Sequence, residues 1–331
     1  MKSSSRRTKQ HGVSELDTGT YQISPEAFVI RTLINPLRLV RTLIQLGHEP
    51  LPPTTSTFPF SLFGLSHFTF SCYPNVFIYT RHLFHTYGFW SVMTCGFFST
   101  FCFDALTDAY CFVSHRYVVS SALNAGEWLE DSDVVGAPKF RFAEGAMGRL
   151  SISQFATHLL NLCFFKTYEV LLTQPFYVIL VRQAASVVGN NSGYSWFFQA
   201  VMSIFRDNGI MGFFSGITPR LIFELSHLLL FASLSRLLRP RIFGFFGSLS
   251  KTVRNSTYTL SYAVSSFLAY RLEVVSCVMA LHGSRIPTLE AAMANSFSDW
   301  RECERTLAVA GQLQRGYFPF WRFCPSPALS A

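Results

Sequence analysis

The sequence predicts an all-α fold: a multi-span membrane helix bundle of three degenerate helix-pair repeats, with the last span missing. Three observations predict it. Only 14% of the 331 residues are charged and 49% are hydrophobic, with a mean hydropathy of +0.27. A soluble chain carries about a quarter of its residues as charges. Charged groups at a bilayer centre cost roughly 2.5–3.5 kcal/mol each, so a chain that crosses repeatedly sheds them. The second observation is a set of long apolar segments, each marked by a polar stripe. The third is internal likeness: Asn35-Pro36-Leu37, Gln174-Pro175-Phe176 and Tyr270-Arg271-Leu272 occupy matching places near the ends of the odd-numbered spans. A loop, a short amphipathic helix and an aromatic patch follow each, the patches being Gly96-Phe97-Phe98, Gly212-Phe213-Phe214 and Tyr317-Phe318.

Residues 1–23 form a polar tail, expected to be disordered. It has no apolar face, and Glu15 and Asp17 count against a transit peptide. The first span, 24–46, opens on Ser24-Pro25-Glu26, a helix start with cap, first-turn proline and an acid on the dipole. Arg31, Asn35, Arg38, Thr42 and Gln45 share one face, with Arg41 at its edge. That stripe suits a polar cavity; a helix lying on the membrane surface is the alternative.

Gly47-His48-Glu49-Pro50-Leu51-Pro52-Pro53 breaks this helix. Residues 74–87 read as a short amphipathic helix, and 89–115 as the second span. Asp104 and Asp108 lie one turn apart on it, with His115 near the same face. Two like charges in a bilayer repel, so they call for cations or water nearby. Arg38 and Arg41 are the expected partners. The acid-rich stretch 124–148 is a solvated loop.

The third span, 151–182, is too long for one straight crossing, so a tilt or a kink at Pro175 is expected. His158, Lys166 and Glu169 share its polar side. The fourth, 219–238, stacks Arg220, Glu224 and His227 at i, i+4 and i+7. The fifth, 258–281, carries Tyr258, Tyr262, Ser265 and Ser276, with Glu273 at the edge. Residues 288–311 are amphipathic but charged on several faces, and no sixth run approaches the ~20 apolar residues of a span. The repeats thus cover about 24–120, 150–240 and 255–323, with a tail at 324–331.

The net charge of +8 fits anionic lipid better than nucleic acid, because no basic run is interleaved with stacking aromatics. Of eight cysteines none forms a C-x-x-C, so free buried thiols are expected rather than a disulfide framework or zinc site. No metal or cofactor is called for. Paired-carboxylate catalysis by Asp104 and Asp108 is conceivable, but one turn apart on one helix suits a cavity wall better. No nucleophile or phosphate-loop spacing points to an enzyme.

Helix, surface helix, Gly-rich turn, helix from Leu171 to Leu238 resembles one repeat of the mitochondrial carrier superfamily. The charges depart from its transporter signature, in which a proline is followed two residues on by an acid and three later by a base. Here Arg38 stands in the acid's place although Arg41 is kept, the second copy has Tyr177 and Leu180, and the third keeps only Glu273, with Arg271 for proline and Ser276 for the base. A ring of three acid–base pairs cannot form, which argues against solute exchange through an alternating gate. With Asn35–Thr54, and above all Gln45-Leu46-Gly47-His48-Glu49-Pro50-Leu51-Pro52-Pro53, these departures resemble the mitochondrial carrier homolog family. The resemblance spans about 24–323, weakly at 58–103 and after Gly283.

The resemblance implies a protein insertase and scaffold of the outer mitochondrial membrane. Such a protein helps tail-anchored and other α-helical proteins into the bilayer through a polar groove open sideways to lipid. It also implies docking of a pro-apoptotic protein. Membrane lipid and membrane-protein substrates are the expected partners, not nucleic acid. The groove residues expected are Arg38, Arg41, Asp104, Asp108, Arg220, Glu224, His227 and Tyr258, with the opening between the fifth and first spans. An inner-membrane solute carrier and a non-transporting docking scaffold are the alternatives.

Overall fold

The computed structural model describes residues 30, 33–57, 69–124, 152–189, 192–246, 251–318 and 322–323. The two tails and the 124–148 loop, apart from Asn124, lie outside them. Ten α-helices and three short strands are described. In chain order they are α1 (Asn35–Leu46), β1 (Thr54–Thr57), β2 (Thr69–Tyr73), α2 (Val76–Tyr87), α3 (Phe89–Thr94), α4 (Phe97–Asn124), α5 (Ile152–Val188), α6 (Phe197–Asn208), α7 (Ile217–Phe246), α8 (Lys251–Ala280), α9 (Leu289–Ser296), α10 (Trp300–Val309) and β3 (Arg322–Phe323). The architecture is the all-α bundle the sequence predicts.

Four segments are long and apolar enough to cross a membrane: Phe89–Ser114, Phe155–Val188, Ile210–Leu238 and Ser256–Ala280. They are the second to fifth spans of the sequence reading. The first is described only over α1, whose 12 residues reach about 18 Å, short of a hydrocarbon core of about 30 Å. Residues 24–29 and 31–32, with Arg31, lie outside the description. Pro36 sits in α1's first turn, where its missing N–H breaks no bond. Gly47, at φ 97°, ends α1 by turning its N–H onto the Leu43 and Ile44 carbonyls.

Three local outcomes differ from the periodicity. The second span breaks at Cys95 and left-handed Gly96 into α3 and α4. The third runs unbroken through Pro175 for 37 residues. The amphipathic run 288–311 is two helices, because Phe297 is extended and Asp299 begins α10.

The outward residues of α5, α7 and α8 are apolar: Leu160, Phe164 and Leu172 on the first, Leu229 and Leu237 on the second, Leu260, Phe267 and Leu268 on the third. This is the surface a bilayer covers. The main buried core lies at one end, where Val178 and Val181 of α5 meet Val274 and Val278 of α8, capped by Ile204, Ala291 and Leu307 of the surface helices. A second core joins Leu39 and Leu43 of α1 to Tyr79 and Leu83 of α2.

A small sheet joins the repeats at this end, a feature the all-α reading did not include. β1 pairs antiparallel with β2, Thr54 opposite Cys72, and β3 adds to β2 with Tyr73 opposite Arg322. Pro50, Pro52 and Pro53 hold the chain extended after α1, so a strand forms where a helix cannot. Four further contacts reinforce the join. Arg322 binds Glu49 and the Pro74 carbonyl, Arg315 Nε donates to the Gln45 carbonyl at 2.6 Å, and His48 Nδ1 lies 3.0 Å from Glu290 Oε1. The third repeat is thereby tied to the first.

Candidate polar groove

The repeat appears in the structure as three equivalent seats. Asn35 Nδ2 donates to the Cys95 carbonyl at 3.1 Å, Gln174 Nε2 to that of Ser215 at 2.9 Å, and Tyr270 OH to that of Arg315 at 2.9 Å. Each carbonyl precedes a left-handed glycine: Gly96 at φ 65°, Gly216 at 70° and Gly316 at 80°. A side chain at the end of an odd-numbered span therefore holds the turn that follows a surface helix. The second repeat's equivalent of Gly96 is Gly216, not the Gly212 that the aromatic pattern suggests. In the first two repeats the amide also accepts from the residue four past the glycine, Thr100 Oγ1 onto Asn35 Oδ1 at 3.1 Å and Arg220 Nη1 onto Gln174 Oε1 at 2.8 Å.

These seats aim the charged stripes toward one another. Arg38 Nη1 meets Asp104 Oδ2 at 2.7 Å, the expected pairing of first and second spans. Arg41 goes elsewhere: its Nη2 lies 3.0 and 3.2 Å from the Glu273 oxygens of α8, not at Asp108. Gln45 Nε2 donates to the same carboxylate and to Tyr270 OH, both at 3.1 Å. Asp108 is buried one turn beyond Asp104.

On the opposite wall Lys166 holds two acids, Glu169 at 3.0 Å and Glu224 at 3.2 Å. Glu224 thus pairs across to α5, although Arg220 lies one turn away on its own helix. Arg220 instead gives Nη1 and Nη2 to Gln174 and Thr173, under the ring of Tyr177 with its guanidinium carbon 4.4 Å from the centroid. His227 is buried, its ring 5.1 Å from Tyr262 and 6.1 Å from Phe223. Tyr258 packs edge-on against Phe231 at 5.1 Å.

Lys166, Glu169 and Glu273 thus enter the polar contacts made by Arg38, Arg41, Asp104, Arg220 and Glu224 of the eight residues expected. Lys166 and Glu169 were legible as a pair at i,i+3. Glu273 was legible as the one acid kept from the carrier signature. The side chains of His115 and His158 lie outside the description. Bringing opposite charges together offsets desolvation that neither could bear alone. What results is a polar seam inside an apolar bundle. Its α1–α8 side, where the lateral opening was expected, is bridged at the surface-helix end by Arg41–Glu273, Gln45–Tyr270 and Arg315. No group of His, Cys, Asp and Glu suited to a metal ion occurs among the described residues.

Apolar spans in repeated helix pairs, with charges meeting inside, define a bundle of the mitochondrial carrier type. A model of the mitochondrial carrier protein family matches residues 153–239. Mitochondrial carrier homolog 2 of Mus musculus is 26% identical over 295 residues, covering 88% of this chain and 90% of its own length. The Homo sapiens protein of that name is 27% identical over the same coverage. Mitochondrial carrier homolog 1 of Mus musculus is 24% identical over 312 residues, 87% of this chain and 72% of its own. The resemblance to the mitochondrial carrier homolog family is thus shown over most of the chain, and the protein is a carrier-related, multi-pass protein of a mitochondrial membrane.

Proposed function

We propose that this protein is an insertase and scaffold of the outer mitochondrial membrane, passing tail-anchored and other α-helical proteins into lipid along its polar seam. The observation that carries the reading is the seam itself: Arg38–Asp104, Arg41–Glu273 and Lys166–Glu169–Glu224 lie inside a bundle whose outer surface is apolar. An unsatisfied polar group in hydrocarbon costs several kcal/mol. A hydrophilic flank moving beside such side chains exchanges water for protein dipoles and avoids most of that cost. Loss of the acid–base ring favours this role over solute exchange: Tyr177, Leu180 and Ser276 leave Arg41 and Glu273 to close on each other. The role is non-enzymatic and needs no cofactor. Docking of a pro-apoptotic protein belongs to the same reading, as the scaffold function.

A docking scaffold without insertion is the second reading, favoured by the fact that these charges already satisfy one another. Glu224→Arg decides between the two, together with Lys166→Glu/Glu224→Arg, which restores the pair in reverse. Insertion of a tail-anchored reporter is measured per molecule of protein in mitochondria. On the insertase reading Glu224→Arg changes insertion per molecule, and the reversed pair restores abundance. Insertion per molecule that is constant in both variants sinks the insertase reading and leaves the scaffold.

A further inference from the structure

The third seat differs from the other two in what it holds. In the first two repeats the chain runs from the left-handed glycine straight into a span, α4 from Phe97 and α7 from Ile217. After Gly316 the described chain is only a turn to Phe318, and it next appears as β3. Arg315 joins this turn to two helices. Its Nε donates to the Gln45 carbonyl at the end of α1 at 2.6 Å, and its own carbonyl accepts from Tyr270 OH of α8 at 2.9 Å. The fit leaves no room for extra atoms. A Cβ on Gly47 would stand 2.6 Å from Arg315 Nη1, and one on Gly316 3.1 Å from Tyr270 OH and 3.2 Å from Ile44 Cγ2. Tyr317 adds its OH to the Ala263 carbonyl of α8 at 3.2 Å and its ring to those of Phe267 and Tyr270.

We propose that the turn 311–318 is a latch: seated, it closes the α1–α8 side of the seam, and unseated, it lets that side widen for a membrane segment to pass. The inference rests on the insertase reading above. Two features make the latch releasable. The first is what the seat lacks. A seat that carries a span is held by the burial of that span, and among the described residues this one carries none. The second is a cost built into the closed form. Arg315 Nη2 is buried without a hydrogen-bond partner among the described residues. An unpaired cationic donor is unfavourable away from water, and withdrawing the side chain into water pairs it. The remaining ties of the turn are mostly hydrogen bonds, whose loss water largely offsets. The two forms therefore lie close in free energy, and a segment that binds the open one shifts the balance toward it.

Native Cys277 reports the state of this joint, since it is fully buried in α8 with its Sγ 4.0 Å from the Thr42 carbonyl of α1. The full chain is studied in mitochondria. Labelling of Cys277 by N-ethylmaleimide is timed by mass spectrometry, and insertion of a tail-anchored reporter is measured per molecule. Arg315→Gln should speed labelling several-fold and raise insertion. Tyr270→Phe, which keeps the Arg315 charge, should act in the same direction. Ile44→Cys/Gly316→Cys closes the latch covalently when diamide oxidises the two thiols to a disulfide and is itself reduced to the hydrazine. Insertion should then fall several-fold against the same variant reduced with dithiothreitol, with diamide-treated native protein as the control. Labelling at the native rate in both release variants overturns the latch. Failure of the two thiols to join means that the turn is not seated there, and overturns it equally. Equal insertion by the oxidised and reduced forms overturns the gating. A native protein that inserts no reporter counts against the insertase reading instead, and Cys277 labelling then judges the latch alone.

Discussion

Arg41 and Glu273, 232 positions apart in the chain, bind through two contacts of 3.0 and 3.2 Å. Arg41 is the base that the first repeat kept from the carrier signature, and Glu273 is the acid that the third kept. The two survivors of a lost ring are therefore each other's partners. They join α1 to α8 where no further span intervenes among the described residues. With Arg41 half exposed, removing one member should cost about 1 kcal/mol, at the upper end of partly solvated pairs. Arg41→Ala and Glu273→Ala should each lower the unfolding midpoint in detergent. The exchange Arg41→Glu/Glu273→Arg should recover most of it. No recovery in the exchanged protein would show that packing, not charge, makes this contact.

The seats predict a graded response at the glycines. Gly209 and Gly216 both have left-handed φ, at 63° and 70°. A Cβ on Gly209 meets nothing within 4 Å, whereas one on Gly216 would lie 2.7 Å from the Ser276 carbonyl oxygen. Gly209→Ala should lose about 1–3 kcal/mol from backbone conformation alone, since ψ of −157° places it where essentially only glycine goes. Gly216→Ala should lose clearly more, seen as lower yield of folded protein and a lower midpoint. Equal losses would contradict the close approach of α7 to α8.

Removing the amide of Gln174 strands groups on α7 and on the turn that leads into it. Gln174→Ala takes a partner from the Ser215 carbonyl and from buried Arg220 together. Leaving buried groups unpaired costs about 1–3 kcal/mol, more where one is charged. Asn35→Ala, whose partners Thr100 and the Cys95 carbonyl are neutral, should be milder. Midpoints of the two variants measured side by side check the order.

Burial pushes the Cys303 thiol of α10 up to about 12. At pH 7–8 it is almost wholly protonated and shielded, so maleimide labelling should be negligible until the protein is denatured. Mass spectrometry after timed labelling gives the answer. Reaction at the rate of an exposed thiol would mean that α10 opens away from the bundle.

Glu290 gives the tie between repeats a pH dependence. Burial raises its carboxyl, but hydrogen bonds from His48, its own backbone and Thr288 outweigh this, and the pKa is held below the usual range. The sign follows: the contribution is present above the unfolded carboxylate value near 4.3 and is lost as pH falls through the lower folded value. The midpoint of the native protein should therefore fall more steeply below pH 4 than that of Glu290→Gln. Parallel pH curves would remove Glu290 from the tie.

Much of this was written along the chain. Apolar length and polar stripes are local properties, so the four long spans, the α2 surface helix and the Arg38–Asp104 meeting could be read without coordinates. Periodicity places a residue on a face, and two neighbouring faces of opposite charge have a reason to meet. What periodicity does not contain is which other helix comes to that face. Arg41 was expected with Asp104 and Asp108, and Glu224 has Arg220 one turn away on its own helix. The structure gives them Glu273 and Lys166, because the seats of Asn35, Gln174 and Tyr270 set the depth at which each span stands. The β1–β2–β3 sheet escaped for the same reason: strand pairing between positions 73 and 322 depends on where the chain returns. Sequence alone thus determined the segments and their polar faces, since hydrophobic burial and helical period act within a few residues. Only the tertiary structure decided the partners, because a buried charge takes whichever opposite group packing brings within reach.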